Sequence, residues 1–165
     1  MFTLEQKVDL IMRYIATTNP AERSELKKAV VDALKDDAIV AAVTTDNNVE
    51  LEQTIMEFLR KMGMPANVKG YNYSLRAIQF CVVDPSYVDE LTKRLYVDVA
   101  AYYNTTPSRV ERAIRHAVEK VFDRGDIEYI YEVFGNTLNV KKGKLTNGEF
   151  LAASANEISL RMKEK

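Results

Sequence analysis

Arginine, glutamate and histidine side chains recur at helical spacing in one stretch of the sequence, between Ser108 and Val121. At about 100° per residue, the apolar side chains of this stretch fall on one side of a helix: Val110, Ala113, Ile114, Ala117, Val118 and Val121. The other side carries Ser108, Glu111, Arg112, Arg115, His116 and Glu119. An arginine fork can donate two hydrogen bonds to O6 and N7 of guanine, and a carboxylate can accept one from the amino group of cytosine. The pattern is therefore typical of a helix whose polar side meets base edges in the DNA major groove.

An ordinary solvated helix also has a charged face, and Glu111 and Arg115 stand at the i, i+4 spacing of a surface ion pair. The elements in front of the helix favour the first interpretation. A short helix over about Val97–Tyr103 and three small polar residues, Asn104–Thr106, precede a long helix from about Pro107 to Phe122. This order of elements is that of a helix-turn-helix.

Other kinds of chemistry have little support in the sequence. His116 is the only histidine and Cys81 the only cysteine, so a zinc site or a Ser-His-Asp triad lacks its partner residues. Cys81 stands on an apolar helical face and is expected in the core. No glycine-rich loop of the phosphate-binding type occurs. We therefore predict no catalysis, no metal and no cofactor.

The overall charge hides a division along the chain. The 165 residues carry a net charge of −1 and have a pI near 5.9, which argues weakly against a nucleic-acid partner. Residues 1–50 carry −3 and the remainder +2, so a basic surface belongs to the later part. No apolar run approaches the ~20 residues of a membrane span, and no secretory signal is visible. No membrane partner and a location in the cytoplasm are therefore expected.

Helical periodicity predicts an all-α fold, in which a multi-helix domain contains the helix-turn-helix and an N-terminal helical hairpin precedes it. The hairpin, residues 1–45, carries the apolar stripes Leu4, Val8, Ile11 and Ile15 on its first helix and Leu26, Val30 and Leu34 on its second. Residues 42–48, rich in Thr, Asp and Asn, are predicted to be a linker. Residues 49–165 are predicted to contain further helices. The first of them ends at Gly63, the next begins near Gly70, and others lie over Pro85 to about Leu95, Asp126–Phe134 and about Thr146–Lys163. A loop or short extended ribbon is predicted over Thr137–Leu145.

From about Val49 onward the chain also resembles a known family. The longest matching run is NTTPSRVERAIRHAVE at residues 104–119, with LTKRLY before it at residues 91–96 and KLTNGEF after it at residues 144–150. Shorter matches are GMPANVKGYNY at residues 63–73, RG at 124–125 and FG at 134–135. By these motifs residues 49–165 resemble the DNA-binding effector domain of the sporulation master regulator of endospore-forming Firmicutes, the response regulator at the end of the phosphorelay.

The resemblance implies a transcription regulator that binds double-stranded DNA as tandem domains at a short asymmetric box and touches a sigma subunit of RNA polymerase. It also implies that Glu111, Arg112, Arg115 and His116 contact bases. Ser108 and Arg109 resemble phosphate anchors at the start of the helix, where backbone N–H groups favour anions. Lys141, Lys142 and Lys144 are candidates for a flanking phosphate, although a lysine-rich loop is often only solvated.

The chain departs from the family pattern at several places. Ala101 and Tyr102 stand in place of two lysines, which removes two phosphate partners, and Pro107 replaces a small residue without harm in a first helical turn. The helix over Asp126–Phe134 resembles the element that meets the sigma subunit, but Glu128, Tyr129 and Glu132, expected on its surface, differ from the family. A helical hairpin of about 48 residues replaces the receiver domain, so we expect no control by aspartyl phosphorylation.

Two functions from different classes remain open. In the first, the chain is an autonomous DNA-binding regulator, and its hairpin dimerises it or senses a partner. In the second, it is an interaction protein that pairs with a full-length regulator of the family or occupies its boxes without activating. The intact run at residues 108–116 favours the first, and the altered sigma-facing helix keeps the second open. The hairpin stripes need a partner surface, either the DNA-binding domain of the same chain or a second copy in a four-helix dimer, and we expect a homodimer or a tandem dimer on DNA.

Overall fold

The computed structural model describes residues 2–34, 38–135, 137–138, 141 and 143–165, with the side chains of residues 38–46 outside this description. Within these ranges eight α-helices follow one another: α1 (Leu4–Ala16), α2 (Pro20–Leu34), α3 (Ala38–Lys61), α4 (Lys69–Val83), α5 (Tyr96–Tyr102), α6 (Pro107–Arg124), α7 (Ile127–Phe134) and α8 (Asn147–Glu164). The same ranges contain no β-strand. The prediction of an all-α fold is confirmed.

The chain divides into two compact units, Met1–Val49 and Glu50–Lys165, and α3 contributes residues to both. Residues 42–48 belong to α3, so this stretch is helical and not a loop. Residues 38–61 contain neither glycine nor proline, and Thr, Asp and Asn cost a helix only about half a kcal/mol each relative to alanine. Local polarity alone therefore does not end the helix.

The first unit contains the predicted hairpin of α1 and α2. Thr3 and Gln6 form the predicted capping box, in which the Gln6 N–H donates to Thr3 Oγ1 at 3.2 Å and the Thr3 N–H donates to Gln6 Oε1 at 2.9 Å. The α1 helix packs on α2, where Leu26 and Ala33 are buried. No residue of α1 itself is fully buried, so the hairpin closes little core of its own.

The second unit is built around α4, α6 and α8, which contact one another. Its fully buried large side chains come from several helices and include Phe58, Ile78, Ile114, Phe134, Phe150 and Ile158. The α4 helix crosses α6 closely at Gly70, where an added Cβ would lie 2.7 Å from the Ala117 Cβ and would collide with the Ala113 carbonyl oxygen. Glycine at this position therefore sets how closely α4 approaches α6.

The segment between α4 and α5 differs from its prediction as one helix from Pro85 to about Leu95. It consists of a 3₁₀ turn over Pro85–Asp89 and a π-type turn over Leu91–Leu95. Asp84 caps the first turn as expected, since its Oδ1 accepts the Ser86 N–H at 3.1 Å. Its other oxygen accepts a hydrogen bond from Arg94 Nη2 at 2.7 Å. This bond ties the two ends of the segment together and favours a tighter path than a continuous helix.

The segment before α8 and the absence of a membrane-spanning helix among the described residues can both be compared with the sequence predictions. The residues of Thr137–Leu145 that the structure describes include no helix or strand, and residues 139, 140 and 142 lie outside the description. Among the described residues, no helix has the length and apolar character required to span a bilayer.

Candidate DNA-binding surface

The α5 and α6 helices contact each other and are joined by a four-residue turn, residues 103–106. Asn104 has a φ of 52°, in the left-handed region, which asparagine tolerates better than most residues. The Thr105 N–H donates to the Ala100 carbonyl at 2.9 Å and the Asn104 N–H to the Ala101 carbonyl at 3.4 Å. This pair of bonds is a Schellman motif, which ends α5 and reverses the chain.

The α6 helix begins immediately after this turn. Thr106 Oγ1 accepts the Arg109 N–H at 3.4 Å, and Pro107 occupies the first helical position, where its missing N–H costs nothing. The helix extends to Arg124, two residues beyond the predicted end at Phe122. The order of elements that the sequence predicts for a helix-turn-helix is therefore present.

One side of α6 is sealed against the core of the second unit. Its buried residues are Val110, Ile114, Ala117, Val118 and Val121, and Ala113 is half-buried. The opposite side carries the predicted contact residues: Ser108, Arg109, Arg112, Arg115 and His116 are exposed, and Glu111 is half-buried. The helix thus collects on one face all six of the residues that the sequence assigns to it.

These six side chains are not equally free to meet a ligand. Arg115 Nη2 forms an ion pair with Glu111 Oε1 one turn earlier. The side chains of Arg112 and His116 make no hydrogen bond or ion pair with another residue of the described part of the chain. The Arg112 side chain is therefore free to meet a ligand, whereas Arg115 must first exchange its carboxylate partner.

The predicted lysine contacts lie in the segment before α8. Lys144 Nζ is 3.7 Å from Glu119 Oε1 on α6, so this lysine stands beside the exposed face. Lys141 is exposed. Lys142 lies outside the described residues.

A residue that the sequence analysis did not identify connects α8 with both helices of this surface. Asn147 Nδ2 donates to the backbone carbonyl of Glu111 at 3.0 Å and lies 3.3 Å from the Tyr96 hydroxyl oxygen, to which it also donates. Burial raises the pKa of Tyr96, and the bond from Asn147 partly opposes that rise. The capping box of Thr146 and Glu149 signals only that α8 begins here. It does not indicate which distant carbonyl the next side chain meets.

An open cleft of about 570 Å³ runs between α6 and the start of α8. Its charged and polar lining includes Glu111, Arg115, Glu119, Lys144 and Asn147. Two cations and two carboxylates therefore share this cleft, and it continues the exposed face of α6 rather than forming a separate site.

The α7 helix differs in one respect from the surface expected of it. Tyr129 is half-buried, not a surface residue, because its hydroxyl accepts a bond from Arg161 Nη2 at 2.8 Å and its ring meets Phe58 edge-on at 6.3 Å. The exposed side of α7 instead presents Ile127 and Tyr131, which are 56% and 58% exposed. Glu128 and Glu132 are exposed, as expected.

Residues 55–158, more than half of the chain, match the family described as Sporulation initiation factor Spo0A C terminal. The matched range includes α4 to α7, the greater part of α8 and every residue predicted to contact DNA, whereas α1 and α2 lie outside it. This family is the DNA-binding, transcription-regulating domain of a sporulation regulator rather than an enzyme. The chain belongs to the Spo0A C-terminal family of DNA-binding regulators.

Proposed function

We propose that the chain is a sequence-specific transcription regulator that places α6 in the major groove of double-stranded DNA. The observation that carries this proposal is the division of α6 into a fully buried apolar side and an exposed side with Glu111, Arg112, Arg115 and His116. Ser108 and Arg109 at its start, with Lys141, Lys142 and Lys144 before α8, are the proposed phosphate contacts. In this arrangement the N-terminal half of α6 meets base edges, as recognition helices do.

The proposal is tested by comparing a selected duplex with random DNA. A cognate duplex is first selected from a random pool with the full chain, and affinities are then measured by fluorescence anisotropy. Arg112→Ala is expected to cost about 1 to 3 kcal/mol on the selected duplex and much less on random DNA. Equal losses on both duplexes would leave only a phosphate contact and would refute base reading by Arg112.

Arg124→Ala is the matched control for this experiment. Arg124 is an exposed arginine in the last turn of the same helix, and twelve residues of helix place it about 18 Å from Arg112. The control removes the same charge from the same element. It is expected to leave the preference for the selected duplex unchanged.

We propose that DNA binding by this chain does not depend on aspartyl phosphorylation. The described residues from 2 to 49 lie mostly in α-helices and include no β-strand, whereas a receiver is an α/β domain. Incubation with acetyl phosphate is therefore expected to leave the DNA affinity of the full chain unchanged. A gain in affinity after this treatment would refute the proposal.

We propose further that the hairpin of α1 and α2 associates with the hairpin of a second copy. Leu4, Val8, Met12 and Ile15 form a stripe along α1 and are 50% to 78% exposed, whereas Ile11, expected in the stripe, is half-buried. A stripe of four apolar residues on one 13-residue helix is smaller than the ~800 Å² per partner of a stable interface. The dimer is therefore expected to be weak alone and to gain strength when two copies bind neighbouring boxes.

Association is tested on the full chain by sedimentation velocity, with and without a DNA duplex that carries two neighbouring copies of the selected site (a double box). Val8→Glu places a charge within the exposed stripe and is expected to abolish the dimer and the cooperativity on the double box. Lys28→Glu, an exposed change on α2, is the control. A monomer at every concentration, or a Val8→Glu variant that behaves as the wild type, would refute a second copy as partner and leave the rest of the same chain as the surface that covers the stripe.

A second function is favoured by α7. Its exposed Ile127 and Tyr131, flanked by Glu128 and Glu132, make an apolar and acidic face that differs from the sigma-contacting pattern implied by the resemblance. We propose that this face contacts a protein, either the RNA polymerase sigma subunit or a full-length regulator whose boxes the chain occupies. Transcription in vitro from a template with the selected box distinguishes these roles. Activation that is lost in Tyr131→Ala supports the sigma contact, and repression without activation supports the antagonist.

A further inference from the structure

Arg76 lies on α4 and contacts Tyr102, the last residue of α5. Its guanidinium carbon lies 4.0 Å from the centroid of the Tyr102 ring, and its Nη2 donates to the Tyr102 hydroxyl at 2.9 Å. Its Nη1 donates to Oε1 of Gln79, a buried residue of the same helix. An aromatic ring and a buried amide therefore hold this guanidinium in one place.

The groups that hold Arg76 are all uncharged. Arg94, Arg115 and Arg161 each form an ion pair with a carboxylate, but no ion pair among the described residues includes Arg76. Glu52 contributes to raising the pKa of Tyr103, yet it is not within ion-pair distance of Arg76. A guanidinium does not lose its proton in proteins, so Arg76 retains a positive charge that no neighbouring carboxylate pairs with.

The same guanidinium retains unused hydrogen-bond donors. It carries five N–H groups, of which one is given to Gln79 and one to Tyr102. Burial raises the pKa of Tyr103, and hydrogen bonding by Arg76 partly opposes that rise. The Arg76 Nε is buried without a partner and out of reach of a ligand, so the donors left for a ligand are on the Nη atoms. A fixed cation with free donors suits an oxygen of a phosphodiester, because arginine binds phosphate with charge-assisted hydrogen bonds.

The position of this cluster relates it to DNA. Tyr102 is 57% exposed and ends α5, one turn before the start of α6. When the first half of α6 lies in the major groove, the turn before it lies near the phosphates at the edge of the groove. The last two residues of α5 and its C-cap, residues 101–103, carry no cation of their own. We propose that Arg76, seated on Tyr102, binds a DNA backbone phosphate, an inference that rests on the proposed function.

The test is the salt dependence of DNA affinity in Arg76→Gln, measured on the full chain with the selected duplex and with random DNA. The slope of log K against log salt is expected to fall by about one, the value of one lost phosphate contact. Affinity at low salt is expected to fall about tenfold on both duplexes alike. Arg76→Lys keeps the charge and is expected to keep most of the slope.

Two comparisons separate this role from a structural one. Lys61→Gln removes one charge from an exposed position of α3 and is expected to leave the slope unchanged. The DNA affinity of Arg76→Gln is measured well below the melting temperature of this variant. If the variant melts earlier than the wild type but keeps the wild-type salt slope, Arg76 has a structural role only and the proposal is overturned. A wild-type chain that binds no duplex overturns both this inference and the proposed function, whereas normal binding with an unchanged slope overturns this inference alone.

Discussion

Substitution of Asn147 tests whether α8 holds α6 in place. In Asn147→Ala the 3.0 Å bond to the Glu111 carbonyl and the 3.3 Å bond to the Tyr96 hydroxyl are both lost. A net hydrogen bond contributes about 1 kcal/mol, and the longer second bond contributes less. We therefore expect a loss of about 1 to 1.5 kcal/mol in the free energy of unfolding, or roughly 4 °C in Tm for a chain of this size.

Asn147→Asp distinguishes this tether from a simple helix-start effect. An aspartate in the first turn of α8 interacts favourably with the helix dipole, by about 0.3 to 1 kcal/mol. The same carboxylate cannot donate, and it would face the Glu111 carbonyl oxygen in a cleft that already holds the carboxylates of Glu111 and Glu119. Two acceptors in contact repel, so we expect Asn147→Asp to be less stable than Asn147→Ala.

The assay combines thermal unfolding with DNA affinity on the selected duplex at a temperature where all variants are folded. Both variants are expected to lose about threefold to tenfold in affinity, because the turn of α6 that we propose to face the bases loses an anchor worth about 1 kcal/mol. The decisive result is the order of the two variants. An Asn147→Asp protein as stable as the wild type would show that the helix dipole outweighs the tether and would refute this reasoning.

Three further predictions concern the framework of the second unit. Gly70→Ala is expected to lower the free energy of unfolding by about 1 to 2 kcal/mol, since overpacking against α6 exceeds the helix propensity that alanine adds; an unchanged Tm would contradict the close crossing. Hydrogen bonds from Ser86 and Arg94 lower the pKa of Asp84, so its stabilisation is present above about pH 4 and is lost as the pH falls through the folded pKa. The Tm difference between Asp84→Asn and the wild type is therefore expected at pH 7 and should shrink below pH 4, whereas a constant difference would exclude this carboxylate as its source. Burial raises the pKa of Cys81 to about 12, so iodoacetamide at pH 8 is expected to label it only on unfolding, and rapid labelling of the native chain would contradict this.

The features that could be predicted from the sequence depend on short-range patterns. The capping boxes at Thr3 and Thr146, the apolar side of α6 and the core position of Cys81 each depend on residues within a few turns of one helix. Residues 42–48 are helical despite a composition typical of loops, because polar composition does not break a helix without glycine or proline.

The features that the sequence does not reveal depend on partners that only the fold brings together. Asn147 meets the Glu111 carbonyl 36 residues away, and Arg76 meets Tyr102 26 residues away. The sequence around such a polar side chain is the same whether the side chain faces solvent or forms a hydrogen bond to a distant residue. The pairing follows from how α4 and α8 pack against the two helices of the surface, which no single-helix periodicity specifies.

A net charge of −1 is compatible with DNA binding because several acidic side chains form ion pairs within the chain, whereas some arginines form none. Asp84 and Glu90 are paired with Arg94, and Glu157 with Arg161, so part of the negative charge is neutralised within the second unit. Arg112 and Arg76 form no such pair among the described residues and keep their charge for a ligand. Long-range attraction to DNA is then weak, because the field far from the protein reflects the net charge. Affinity must therefore come from a few local contacts, and binding by a single copy should be modest and only moderately dependent on salt. Under that condition a second copy on a neighbouring box adds more to occupancy than any one additional phosphate contact.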